Sequence, residues 1–357
     1  MLLYRNFYYL VELFIRRGES NMRKSSPRYA EYIKRQNRTR ERKRFKKNKK
    51  CKKLYNPYAA PSKYTPVLEN TFKGNDDRKT YTSQIPKCFS IINNPNEVAE
   101  YFSTLIAFLK HNKDVRCLNF NFSEVKEITV DALMYLMSVI KFIRRAFCKV
   151  EQFSGNIPTE PSVKDLFIKS GFPQLMTSSR IKFAPDENVI RICYDNSTNT
   201  QKTKEICEFV IAHSQYERTD TMFLYNMLME LEVNAAEHAY NDEETSIFQN
   251  KWLAFVEDAG STFRFTFLDI GVGIFRTLYR KLHEKVFKQP DYHYVISAFE
   301  GAELRSETRR RYRGRGLPKV KEFFDNGRIK NLKVITNRAY CYGNYGYVPS
   351  FCGEQLL

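Results

Sequence analysis

Within residues 228–240, Glu230, Asn234 and then Glu237 or His238 recur at helical spacing in a segment otherwise rich in Leu, Met and Ala. Those residue types favour helix, and the apolar set Leu224, Leu228, Leu231 and Ala235 repeats with the same period. On such a helix the polar side chains stack one turn apart along a single face. A carboxylate there can accept a proton from an attacking hydroxyl, and a neighbouring carboxamide oxygen can hold a magnesium ion beside a phosphate. A solvated face on an amphipathic helix accounts for the same pattern, so the helix alone does not settle the chemistry.

Two later segments add to it. Residues 262–274, TFRFTFLDIGVGI, read as an aromatic, alternating strand that ends in Asp269 and is followed by Gly271 and Gly273. Residues 313–320, RGRGLPKV, place Gly314 and Gly316 ahead of an apolar, helix-like run. An acid at a strand end followed by Gly-x-Gly suits a loop whose backbone passes close to a ligand. A glycine pair opening a helix suits phosphate held by backbone N–H groups at the positive helix end. The third glycine of a dinucleotide fingerprint is missing from both GVGIFR and GRGLPK, and no Gly-Lys-Ser/Thr phosphate loop occurs.

The order of these motifs resembles the ATP-binding domain of the GHKL superfamily, which includes histidine kinases, anti-sigma-factor serine kinases, type II topoisomerases, mismatch-repair ATPases and heat-shock chaperones. The resemblance covers roughly the last half of the chain, residues 186–357, and implies a Bergerat-type α/β sandwich that binds ATP and magnesium. It implies Glu230 as the general base and Asn234 as the magnesium-holding residue. Asp269 would accept a hydrogen bond from the adenine amino group, with Gly271 and Gly273 shaping that pocket. Gly314, Arg315, Gly316 and Leu317 would form the phosphate-side motif that closes a lid. GHKL chains commonly finish with a Gly-Thr and one further strand; here Gly353 is followed by Glu354 and three more residues, so the last strand is expected to be short or missing.

Ahead of this unit, alternating strand and helix patterns across residues 85–185 argue for an α/β layer. Helices are expected over 98–109, 129–146 and 163–170, and strands over 115–122 and 147–153. The run NFSEVKEITVDALMYL, with GNIP and LFIKSGF after it, resembles the STAS-type domain of anti-sigma-factor antagonists. In signalling members a hydroxyl ahead of this helix takes a phosphate; Thr129 is the nearest one here, but the Asp-Ser pattern is not kept, which favours a scaffold.

In the second unit a strand is expected over 188–194, a helix over 203–213, a hairpin across Asp258-Ala259-Gly260, a lid over 275–313 and a final strand over 332–340. Residues 1–84 read as a mostly disordered basic arm and linker. The chain of 357 residues carries a net charge of +19, and residues 1–60 hold 19 Lys and Arg against four acids. The block 35–53, RQNRTRERKRFKKNKKCKK, repels itself, and residues 23–53 would suit contact with nucleic acid or another polyanion; a solvated tail explains the charge equally simply. Met1 to Ile15 is too short to span a bilayer, and Met22 is an alternative start. Eight dispersed Cys without a C-x-x-C pair suggest reduced thiols in a cytoplasm. His213 lacks the acid that follows a phosphoacceptor histidine, which disfavours autophosphorylation.

Three functions follow from this reading: a cytoplasmic ATPase or serine/threonine kinase acting on a regulatory protein partner, a nucleic-acid-associated ATPase closing as a homodimer, or a non-catalytic nucleotide sensor.

Overall fold

A strand from the beginning of the chain runs through the middle of its largest sheet. The computed structural model describes residues 9–16, 68–70, 79–176, 186–238, 251–271, 273–274, 289–301, 316–344 and 350–355. Seven strands form the larger sheet: β1 (Tyr9–Arg16), β8 (Val189–Asp195), β9 (Trp252–Asp258), β10 (Thr262–Asp269), β11 (Ile329–Thr336), β12 (Ala339–Asn344) and β13 (Ser350–Gln355). Their spatial order is β13-β12-β11-β1-β10-β9-β8. Tyr9 stands opposite Asp269 on one side of β1, and Leu10 stands opposite Ile335 on the other. Because β1 is antiparallel to both neighbours, β10 and β11 run in the same direction and end at the same edge, one in Asp269 and the other in Thr336.

A second sheet has the order β2-β3-β5-β7, built from β2 (Leu68–Asn70), β3 (Lys79–Gln84), β5 (Val115–Asn121) and β7 (Gln152–Gly155). β5 is parallel to both β3 and β7, and β2 is antiparallel to β3. A short parallel pair joins β4 (Cys88–Phe89) to β6 (Glu127–Ile128). The chain is therefore a mixed α/β protein with parallel and antiparallel sheets.

Three strands fall within the stretch that sequence patterning reads as arm and linker, so disorder is not the state of β1, β2 or β3. For β1 the run YLVELFIR has the β-branched and aromatic content of a strand. Its pairing partners lie more than 240 residues away, beyond the reach of local patterns. Met22 and the cationic block within 23–53 lie outside the described residues. The strand expected at 147–153 starts later, at Gln152, after a turn in which the Val150 N–H donates to the Phe147 carbonyl at 2.9 Å.

Eight helices are described: α1 (Pro95–His111), α2 (Val130–Ala146), α3 (Pro161–Lys169), α4 (Phe172–Met176), α5 (Thr200–Ala212), α6 (Arg218–His238), α7 (Asp291–Phe299) and α8 (Gly316–Asp325). Alternation along β9 and β10 gives the larger sheet two apolar faces. Trp252, Ala254, Val256, Phe263, Phe265 and Phe267 share a core with Leu224, Leu228 and Leu231 of α6 and Val320 and Phe324 of α8. Leu253, Phe255, Leu268, Ile270 and Ile335 belong instead to the core formed by α1, α2 and the smaller sheet. α2 is thus covered on nearly every side, from Val130 to Ile143, as expected of a helix packed between two sheets. No helix among the described residues is long and apolar enough to cross a membrane.

Candidate functional site

The apolar stripe of α6 fixes which of its polar residues stay outside the core. Leu224, Leu228, Leu231 and Ala235 are all buried, as their spacing predicts, and burial of each leucine stabilises the helix's position by roughly 2 kcal/mol. Glu230 and Asn234 remain half-buried beside that stripe. α6 begins at Arg218, ten residues ahead of the stretch singled out by composition.

α8 brings Gly316, the described glycine of the second motif, to this face. Val320 and Phe324 anchor it in the core, and Pro318 sits in its first turn, where a missing N–H is harmless. A Cβ added to Gly316 would lie 3.0 Å from Glu230 Oε2 and 3.1 Å from Asn234 Nδ2, so the lack of a side chain is what permits this approach. One turn later, Lys319 Nζ lies 3.0 Å from Glu230 Oε1. Lys319 was not legible beforehand: its only signal is its place one turn after Gly316, and nothing local ties it to α6. Leu317 is half-buried beside Gly316. Gly314 and Arg315 lie outside the described residues, as do most of the expected lid and the side chains of Glu237 and His238.

Asp269 closes β10 on the sheet face that carries Phe263, Phe265 and Phe267. It is 9% exposed, and its buried Oδ1 has no hydrogen-bond partner among the described residues. Burial alone pushes its carboxyl up to about 7. After it, Gly271 is buried, and Gly273 adopts φ +79° with its α-carbon packed against the Asn337 side chain. The Ile274 N–H donates to Thr336 Oγ1 at 2.9 Å. The loop behind Asp269 is thereby fastened to the turn between β11 and β12.

Lys251 links this sheet edge to α6. Its carbonyl accepts the N–H of Ile270, directly after Asp269, at 2.9 Å, and its Nζ donates to the carbonyl of Ala236, two residues past Asn234, at 3.1 Å. Glu230, Asn234 and Gly316 come into contact, and Asp269, Gly271 and Gly273 stand one lysine bridge away. Glu232, two residues from Glu230, serves a different end. Buried and pushed upward in pKa by desolvation, its carboxylate accepts the Asn199 N–H at 2.6 Å and Thr203 Oγ1 at 2.7 Å, pinning the start of α5 to α6.

Two expectations need correction. The span 332–340 is not one strand: Asn337, at φ +53°, turns the chain between β11 and β12. Asn enters this left-handed region more readily than most residues, and the following run of apolar and aromatic residues hid the turn. The final strand is also neither short nor missing. β12 and β13 pair over six residues, with Gly353 opposite Cys341. In the first unit, Thr129 Oγ1 is buried at the start of α2. The seven described cysteines are free thiols.

Comparison of the chain with protein-family models, with curated proteins and with solved structures returns no match to any of them.

Proposed function

We propose that this chain is a cytoplasmic ATP-binding regulatory protein of the GHKL type, acting as an ATPase or serine/threonine kinase on a protein partner. The observation that carries the reading is the contact of Gly316, at the start of α8, with both Glu230 and Asn234 of α6. Residues more than 80 positions apart supply a base, a metal-holding amide and a helix N-terminus in one place, the set that phosphoryl transfer requires. The Oδ1 of Asp269 supports the adenine side, since a buried acceptor that has no partner among the described residues is suited to an amino donor.

The residues fit ATP and magnesium. Bound magnesium would neutralise phosphate charge; Asn234 offers one amide oxygen to it, a sparse ligand set typical of an ion that also uses phosphate oxygens and water. Glu230 accepts the proton of the attacking hydroxyl or water. The first N–H groups of α8 hold phosphate, and Gly316 keeps that approach open. Asp269 accepts from the adenine amino group and orients the base. The first unit, resembling a STAS domain, serves as a scaffold, a reading supported by the burial of α2 between the two sheets and of Thr129 Oγ1.

Labelled ATP and magnesium, with and without candidate partners, test the reading. Label reaching a partner or free phosphate is expected from the wild type, with Glu230→Gln lowering turnover by about a hundredfold or more while nucleotide still binds. ATP binding without turnover in either protein would favour the sensor instead. Absence of ATP binding would overturn the reading.

The charge of the first 60 residues favours a second reading, in which the same site serves a nucleic-acid-associated ATPase.

A further inference from the structure

Lys319 occupies a position that the ATP reading does not explain. Its Nζ lies 3.0 Å from Glu230 Oε1, while Glu230 Oε2 faces the backbone of Gly316 at the start of the same helix. The two oxygens of one carboxylate thus face two different groups, an ammonium and a helix N-terminus. Asn234 Nδ2 borders Gly316 as well. Lys319 stands one turn beyond Gly316, so its Nζ is within a side chain's length of a phosphate held by Asn234 and the first N–H groups of α8. The lysine is 39% exposed and the glutamate 29%. A pair this open is weak and its long side chain is free to turn, so exchanging one anionic partner for another meets little resistance.

Resting on the ATP-binding reading above, we propose that Lys319 is the specificity residue by which this site prefers a nucleoside triphosphate to a diphosphate. Glu230 and the terminal phosphate compete for one ammonium. A phosphate carries more charge than a carboxylate and three acceptor oxygens, so it draws Lys319 away. A diphosphate ends short of this position and leaves the ion pair intact. The exchange also leaves Glu230 Oε1 without its cation, so the carboxylate is released only when a third phosphate is present.

The reading gives each variant a sign. Lys319→Gln is expected to weaken binding of a non-hydrolysable ATP analogue about tenfold while changing ADP affinity less than twofold. Lys319→Arg keeps the charge and retains most of the preference. Glu230→Gln removes the competitor, so the analogue binds about two- to fivefold tighter, with ADP again little changed. In the double variant that gain disappears, because no ammonium remains to be freed.

Titration calorimetry of the full chain with magnesium, using the analogue and ADP, together with a thermal melt of each variant, decides the matter. A pair that merely fastens α8 to α6 would lower the melting temperature in both single variants and weaken both nucleotides alike; that result overturns the proposal. So does an unchanged triphosphate preference in Lys319→Gln. A wild type that binds neither nucleotide would overturn the ATP reading itself, and the role of Lys319 with it.

Discussion

Gly273 and Asn337 are two left-handed residues packed against each other, at φ +79° and +53°, and a Cβ on the glycine would fall 2.7 Å from both Cγ and Nδ2 of the asparagine. Backbone and contact therefore both demand glycine. Gly273→Ala should destabilise the protein by about 1–3 kcal/mol in a denaturant titration. Asn337→Gly keeps the turn and removes the amide, and should cost less than about 1 kcal/mol. If the alanine variant matches wild type in stability, the loop behind Asp269 is not held as described.

Asp269 sets a pH dependence with a definite sign. In the folded chain its carboxyl holds a proton up to about pH 7, whereas its ordinary value is 3.8. Between those values the folded state binds more protons than the unfolded one, so stability from this group falls as pH rises and is fully lost above about 7. Asp269→Asn should therefore be more stable than wild type at pH 8, with the gap closing toward pH 4. ATP affinity should fall in the same variant, because an amide can present its NH2 where an acceptor is needed. Melts across pH, paired with calorimetry, check both; a variant less stable than wild type at pH 8 would contradict the desolvation account.

The C-terminal half should not stand alone. Residues 186–357 lack β1, and without α2 they expose Leu253, Phe255, Leu268, Ile270 and Ile335. An excised fragment is expected to bind a hydrophobic dye and to lose cooperative unfolding, whereas the full chain unfolds sharply. A fragment that melts like the full chain would show that the shared core is dispensable.

What was legible beforehand was periodic or local. The helical repeat of Leu224, Leu228, Leu231 and Ala235 correctly oriented Glu230 and Asn234, and the alternation before Asp269 marked a strand end. Contacts between distant segments left no such trace. β1 pairs with strands near the other end of the chain, and Lys319 meets Glu230 across 89 residues. The turn at Asn337 was masked for a third reason: a single residue broke an otherwise continuous strand-like composition.

The basic block is tested by charge rather than deletion, since removing residues 1–60 would also remove β1. Changing Lys and Arg within 35–53 to Gln should flatten the salt dependence of any RNA or DNA affinity and leave ATP binding unaltered. Binding with an unchanged salt slope would assign that activity to the folded units.

The place of β1 has a consequence for how the protein is made. β1 precedes both its partners, β10 and β11, by more than 240 residues, so it must wait for all of that intervening chain to be made before its backbone groups are paired. Until then the nascent chain carries an aromatic, β-prone stretch with open edges, a target for a chaperone or for a neighbouring polypeptide. Because β1 joins the block β8–β10 to the block β11–β13, the sheet can close, and Asp269 and Thr336 can align at one edge, only once both blocks have been made.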